Sequence, residues 1–511
     1  MTRIIGCLFL LLLFRTADAQ NEENSVLMQK ITIKATNIPV SDILDEISRK
    51  GKVFFSYSPD LIPSDRKATL NLVRKQLKVI LDSLFPQDSV RFSIINRQII
   101  IHRKEPIKSV IPTSPLRIRG KVLDRLNGMP LSFVNIAVKG KTIGTITNSD
   151  GDFLLKLEPS YANDTLLFSY MGYRRLEYPV PVLAVNDFGT IFLETQSIKL
   201  PEIKVHRVDI TDIMNRLFRN IKNNYPQGDM IMTSFYRESI KVDKRFTSVS
   251  EAVFEILKSS YNDSKPDKIK MIKGRKSQDL VPYRLVNFKI QGGPNFVNQL
   301  DVIKTRETFL DELYSSYYRY ELKDLIIYNQ KPTYVVSFKP NETSDFPLYF
   351  GELYIDADSY ALVQAKFSLT KSGLVYAQTE LIKKITRNIR AKPFFTEYTV
   401  SYIQIDDLWY INAATCSVKF KVRTTNQLVN SIFHSTVDLL ITDRRKYMGE
   451  SFETDNLFKP KFVFSDMIRD YDESFWGNYN VIQPDDDLRK AIRFIGDSPR
   501  KKTSNSYSSN Q

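Results

Sequence analysis

Histidine and cysteine are scarce in this chain, three and two in 511 residues. So small a stock of soft ligands argues against a zinc ribbon, an iron–sulfur site or a histidine-rich centre, and no metal or cofactor is expected. Glycine and proline are also sparse, at 18 and 23, which excludes collagen-like and low-complexity classes for most of the length. After Phe14 no stretch approaches the ~18 consecutive apolar residues of a helical membrane span. There is no G-x-S-x-G elbow, no phosphate-binding glycine loop and no dinucleotide fingerprint. What is present is 42% hydrophobic and 12% aromatic residue, enough for buried cores and pointing to β-rich structure. The length corresponds to about three domains of ~150 residues.

Residues 1–19 read as an export signal. Arg3 gives a positive start, Ile4 to Phe14 an apolar run, and Ala17-Asp18-Ala19 an A-x-A cleavage site. Removal after Ala19 takes Cys7 with it and leaves Cys416 alone, so no intramolecular disulfide framework is expected. The net charge of +15 loses two cations and one anion with the signal, leaving +14. Export directs the protein away from nucleic acid. The modest basic clusters at Lys268 to Lys276, Lys383 to Arg390 and Arg444 to Lys446 read as solvated faces, with anionic lipid head groups as the alternative use.

Residues 27–103 contain a duplication. Ile31 and Ile33 alternate with polar residues, Val40, Ile43, Leu44 and Ile47 recur at helical spacing, and Val53 to Tyr57 form a strand. Pro39 suits a first helical turn and Gly51 a stop. The pattern returns with Leu70 and Leu72, then Leu77, Ile80, Leu81 and Leu84, then Val90, Phe92 and Ile94. Two βαβ units sharing one small sheet are expected, closed by a strand at Ile99 to Ile101. Through Ser41-Asp42-Ile43-Leu44-Asp45-Glu46-Ile47 and Phe55-Ser56-Tyr57-Ser58 the segment resembles the short N-terminal (STN) domain of secretins and TonB-dependent receptors. That resemblance implies a periplasmic protein-contact module without catalysis.

Residues 104–116, with Pro106, Pro112 and Pro115, read as a linker. Short strands follow over residues 117–194, and Asp150-Gly151 between two of them signals a hairpin. Gly120-Lys121-Val122, Pro130-Leu131, Asn135-Ile136, Gly144-Thr145, Asn148-Ser149-Asp150-Gly151-Asp152-Phe153 and Tyr170-Met171-Gly172-Tyr173 resemble, in order, the carboxypeptidase-like regulatory domain. The resemblance implies a prealbumin-like β-sandwich without peptidase activity.

Residues 205–495 read as a large antiparallel sheet with one wet and one covered face. Tyr334, Val336 and Phe338 share a face, as do Ala361, Val363, Ala365 and Phe367, then Val418, Phe420 and Val422, then Val437, Leu439 and Ile441. Helices are expected over 209–223, 298–314 and 485–494, and residues 497–511 as a disordered polar tail. Asn224-Tyr225-Pro226 with Phe235-Tyr236-Arg237-Glu238 resembles Bacteroidetes envelope proteins that carry this region after the regulatory domain. Gly351-Glu352-Leu353-Tyr354-Ile355-Asp356 resembles the half-barrel of periplasmic lipoprotein carriers. The fold class is thus multidomain α+β and all-β.

The candidate chemistry is thin. His102 and Glu105 have the H-x-x-E spacing of a zinc carboxypeptidase, but at the mouth of a linker and without a third ligand; His206 and His434 carry no motif. The acidic turns Asn148 to Asp152 and Asp356 to Asp358 do not fit a calcium loop and read as turn chemistry. Cys416 reads as a buried small hydrophobe. Tyr236, Arg237 and Glu238 alternate along a strand, with Arg237 facing away from its neighbours. No catalytic, metal or cofactor residue is therefore assigned. The expected function is a non-enzymatic interaction protein of the periplasm and outer membrane, similar to the front end of TonB-dependent receptors. Residues 205–495 are too few for a plug and a 22-strand barrel, which needs roughly 400 residues. Envelope proteins, among them outer-membrane or TonB-system components, and anionic lipid are the expected partners. The alternative is a carrier or chaperone holding lipid or acylated chains in the curved sheet.

Overall fold

The computed structural model describes residues 26–496 except 58–61, 63–65, 86–89, 96, 104–114, 185–188, 197–208, 279–288, 291–292, 342–347, 385–388, 425–429, 453–456, 459–463 and 465–475. The signal, Glu105, His206, most of the linker and the polar tail lie outside the described residues. The chain begins with β1 (Lys30–Pro39), α1 (Val40–Gly51), β2 (Phe54–Tyr57), β3 (Lys67–Gln76), α2 (Leu77–Leu84), β4 (Val90–Ile95) and β5 (Gln98–Arg103). Next come β6 (Leu116–Asp124), β7 (Asn135–Val138), β8 (Gly144–Ile146), β9 (Asp152–Leu157), β10 (Thr165–Ser169), β11 (Leu176–Pro179), α3 (Val180–Ala184) and β12 (Gly189–Leu193). The remainder opens with α4 (Ile210–Asn224), β13 (Met230–Val242), β14 (Arg245–Lys258), β15 (Lys268–Gln278), β16 (Lys289–Ile290), α5 (Gly293–Asn298) and α6 (Val302–Thr305). Then follow β17 (Tyr318–Tyr328), β18 (Lys331–Pro340), β19 (Tyr349–Asp356), β20 (Leu362–Leu369), α7 (Lys371–Leu381) and β21 (Ile382–Lys384). The last elements are β22 (Ile389–Ile405), β23 (Leu408–Thr424), β24 (Ser431–Lys446) and α8 (Asp486–Gly496). They group into two compact units, residues 1–134, 149–167 and 176–195, and residues 135–148, 168–175 and 196–511.

In the first unit the two repeats read from sequence do not form one sheet. The leading strands of the two repeats, β1 and β3, pair antiparallel with each other, while β2, β5 and β4 make a separate three-stranded sheet in that order. Register shifts after Ile31 and Ala35 distort β1, and the two sheets instead share one core with both helices. The periodic residues Val40, Ile43, Leu44, Ile47, Leu77, Ile80, Leu81 and Leu84 are all buried in it. The left-handed residue ending α1 is Lys52 (φ 50°), one position after Gly51. β12 pairs parallel with β6, which pairs antiparallel with β9. The buried Gln98 of β5 donates to the Thr190 carbonyl (2.6 Å) and accepts from the Tyr178 hydroxyl (2.6 Å). Asp150-Gly151 is not a hairpin turn, since β8 pairs with β7 and β9 with β6. Gly151 (φ +78°) instead accepts from the Val122 amide (2.8 Å), and a Cβ there would lie 2.5 Å from the Val122 oxygen.

The second unit is built on a ten-stranded antiparallel sheet, in the order β15-β14-β13-β24-β23-β22-β20-β19-β18-β17. Two meanders meet where β24, the last strand, pairs with β13. The four alternating sets named from sequence all face one core, here called the inner face, with Tyr334 at its margin. α4 is capped by the Asp209 carboxylate, which accepts from the Thr211 amide (2.9 Å), and it buries Ile213, Met214, Leu217 and Ile221 against this face. The single helix expected over 298–314 is broken into α6 and two 3-10 turns, Thr308–Leu310 and Glu312–Tyr317. Asp301, Glu307 and Asp311 each cap a new turn with their own side chain, and Arg306 is left-handed (φ 54°), so no continuous helix can form. The segment still covers the inner face: Val302, Ile303, Phe309 and Leu310 are core residues. The opposite, outer face is not uniformly wet. Trp476, Val481 and Ile482 cover Phe235, Val253, Ala413 and Leu440, and α8 covers Val249.

Candidate functional site

Because β13 and β14 are covered on both faces, each carries charged side chains into dry surroundings, and two closed ion clusters result. On the outer face Arg237 lies opposite Glu251 in the ladder, and Glu251 opposite Arg275 of β15. The Arg237 Nε donates to Glu251 Oε1 and the Arg275 Nε to Oε2, both at 2.7 Å. Arg237 also donates to the Ile482 carbonyl (2.5 Å), and the Arg275 guanidinium stacks 4.9 Å over the Trp476 ring. Burial pushes the Glu251 carboxyl up, but the two guanidinium groups outweigh it and hold it below its ordinary value. In the neighbouring strand burial raises the Asp438 carboxyl to about 6, with Arg237 opposing and Asp485 adding to the rise.

On the inner face the ammonium of Lys258, fully buried, sits 2.8 Å from both Asp267 and Asp301. Asp301 accepts from the Tyr261 and Tyr402 hydroxyls (2.8 Å each), and Asp267 from the Asn298 amide (2.7 Å) and the Ser259 backbone N–H (2.9 Å). Burial pulls Lys258 down, but Asp301 and Asp267 outweigh it and hold it above its ordinary value. Burial, and then the Asp301 charge, push both tyrosine hydroxyls well up, so they act as donors and not as acids. A fourth buried cation, Arg444, donates to the carbonyls of Thr142 (3.0 Å) and Ile411 (2.7 Å), and burial lowers it to about 10. These arrangements fasten strands to loops; none presents an acid–base pair to solvent.

A row of exposed cationic residues lies elsewhere on the outer face. Ala391 and Val422 are opposite one another and buried, so their neighbours face the other way: Arg390 opposite Arg423, and Lys392 opposite Lys421. The next row holds Phe395, Lys419, His434, Lys241 and Phe246 on five successive strands. Lys419 stands 4.7 Å over Phe395, Lys421 5.3 Å over Phe394 and Lys241 4.2 Å over Phe246. Burial and then the charges of Lys419 and Lys241 push the half-buried His434 imidazole down.

The residues singled out from sequence fall apart in space. His102 meets the Ser93 hydroxyl (2.9 Å) within the β4–β5 pair. His434 meets the Ser417 hydroxyl (2.8 Å). Asp356 accepts from the Ser359 amide (2.8 Å) and hydroxyl (2.7 Å), which is turn chemistry at the β19–β20 hairpin. Cys416 is buried, and burial pushes its thiol far up. Tyr236 donates to Glu238 on the inner side, with Arg237 on the other, as the alternation required. Among the described residues no three of His, Cys, Asp or Glu converge as a metal site. Two clusters read as solvated contain buried members, Arg275 and Arg444. Sequence reasoning missed Glu251, Lys258, Asp267 and Asp301; the one local signal was Glu251 inside the apolar run of β14.

Among solved structures, a DUF1329-family protein from Desulfovibrio piger is similar over 47% of this chain and 95% of its own, at 11% identity and a TM-score of 0.21. Lipovitellin, in a structure describing lipid–protein interactions, is similar over 47% of this chain and 28% of its own, at 11% identity and a TM-score of 0.22. The ferripyoverdine receptor of the Pseudomonas aeruginosa outer membrane is similar over 79% of this chain and 58% of its own, at 8% identity and a TM-score of 0.14. At such TM-scores these likenesses carry no argument. No curated protein matches the sequence. Residues 118–205 match the family model of the CarboxypepD_reg-like domain, and the chain therefore contains a carboxypeptidase-regulatory-like β-sandwich.

Proposed function

We propose that the chain is a non-enzymatic interaction protein of the cell envelope, exported through residues 1–19 and working on the periplasmic side of the outer membrane. One observation carries the choice over a lipid carrier. The inner face of the large sheet is occupied by the chain's own side chains: Phe309 stacks on Phe338 at 4.5 Å and packs on Phe367 at 5.0 Å, while Phe464 meets Tyr236 at 4.8 Å. A carrier needs that volume for its ligand. The absence of enzymatic activity is supported by the closed ion clusters, whose carboxylates are already matched by buried cations. The export signal and the likeness of residues 27–103 to receptor and secretin domains support the envelope setting, with envelope proteins as partners.

The test is cross-linking in the native host's envelope, with mass spectrometry of the complex and of the processed N-terminus. The reading expects a mature chain starting at Gln20 and a discrete protein complex. An intact Met1, or a chain recovered alone with one lipid molecule held per protein, contradicts it.

A further inference from the structure

We propose that the outer face of β22 and β23, around Arg390, Lys392, Lys421 and Phe394, docks on an anionic lipid bilayer. The pairing is the first observation. Lys392 faces Lys421 directly across two strands, and like charges so placed repel. A folded sheet tolerates that repulsion, and an anionic surface relieves it. The next row extends the field across the sheet, with Lys419 and Lys241 flanking His434 on the neighbouring strands. Among the described residues, Glu397 lies beyond Phe395 on β22, and Asp243 is engaged with the Ile432 amide (2.8 Å).

Apolar exposure is the second observation. Phe394 is 40% exposed where a register shift between Pro393 and Phe395 pushes it out of the ladder. Leu369 donates its amide to Thr396 (3.0 Å), which brings α7 to the same end of the sheet, with Val375 71% exposed and the basic Lys371 at its start. Tyr349 pairs with Leu369, so Phe350, 46% exposed, lies there too. Large apolar side chains interleaved with lysine and arginine match the boundary between lipid phosphate and acyl chains; a soluble polyanion would use only the charge. The choice of a bilayer over nucleic acid rests on the envelope reading, but the patch geometry does not.

The test is flotation of the full chain with vesicles of phosphatidylcholine alone and of an equal mixture with phosphatidylglycerol. The expected result is binding to the mixed vesicles only, weakened by salt. Each cation contributes on the order of fivefold, so K392Q/K421Q should bind on the order of thirtyfold more weakly. Its melting temperature should hold or rise, because a repulsive pair is gone, and this separates lost docking from lost fold. F394S should weaken binding without changing its salt dependence. Equal binding to neutral vesicles, unchanged binding by K392Q/K421Q, or displacement by inorganic phosphate or duplex DNA at matched ionic strength overturns the proposal. The envelope reading fails separately, through the native N-terminus and the cross-linked complex.

Discussion

Replacing Lys258 by methionine removes the buried cation that meets both Asp267 and Asp301. The two carboxylates stay buried, and the donors that remain, the Tyr261 and Tyr402 hydroxyls, the Asn298 side chain, the Ser259 amide and hydroxyl and the Lys304 backbone amide, are all neutral. Breaking a buried ion pair from one side costs about 3–5 kcal/mol. For a large unit that corresponds to a melting point lower by roughly 6–10 °C. The pH dependence has a definite sign. In the native protein Lys258 outweighs burial and holds Asp267 below its ordinary value, so that stabilisation is present above the unfolded carboxylate range and is lost in acid. In K258M only the neutral Asn298 and Ser259 donors oppose burial of the Asp267 carboxyl, so the share of stability that Lys258 supplies at neutral pH is missing. Urea unfolding of the native chain and K258M at neutral and mildly acid pH should therefore show a gap that narrows in acid. D267N/K258M should recover part of the loss. A gap below about 1 kcal/mol, or one that does not change with pH, would refute the reasoning.

Glu251→Gln leaves Arg237 and Arg275 facing each other without their shared anion and should cost about 3–5 kcal/mol by chemical unfolding. Because Glu251 is held below its ordinary value, that difference should also shrink in acid as the native carboxylate protonates. Gly351→Ala would put a Cβ 2.0 Å from the Lys366 carbonyl oxygen and force β19 off β20; a loss of about 1–3 kcal/mol, with faster amide exchange across Tyr349 to Ile355, is the expected outcome. EDTA should leave the melting temperature unchanged, and a drop reversed by zinc or calcium would show that His102 or an acidic turn binds metal.

Alternation made the large sheet legible, because Val418, Phe420 and Val422 or Val437, Leu439 and Ile441 can satisfy a single buried face only as strands. Where both faces are covered the pattern vanishes: β14 is buried continuously from Val249 to Phe254, and nothing local says that Trp476 and α8 will lie over it. The helix expected over 298–314 failed for a local reason, since Asp301 and Asp311 favour caps over helix interiors, and they and Glu307 each start a new turn. The ion clusters were illegible because their members meet across long stretches of chain. Asp301 lies 43 residues beyond Lys258. The cation row was half legible, since Lys419, Lys421 and Arg423 alternate visibly, but their like-charged partners on β22 required the register.

Native mass spectrometry of the full chain, purified from its own envelope and washed at high salt, addresses the central claim most directly. Salt releases lipid held at a charged surface but not lipid held in a core. With the inner face filled by Phe309, Phe338, Phe367 and Phe464, the account predicts the bare mass of the mature chain or of its protein complex. One retained lipid or acyl chain per protein after that wash would contradict it.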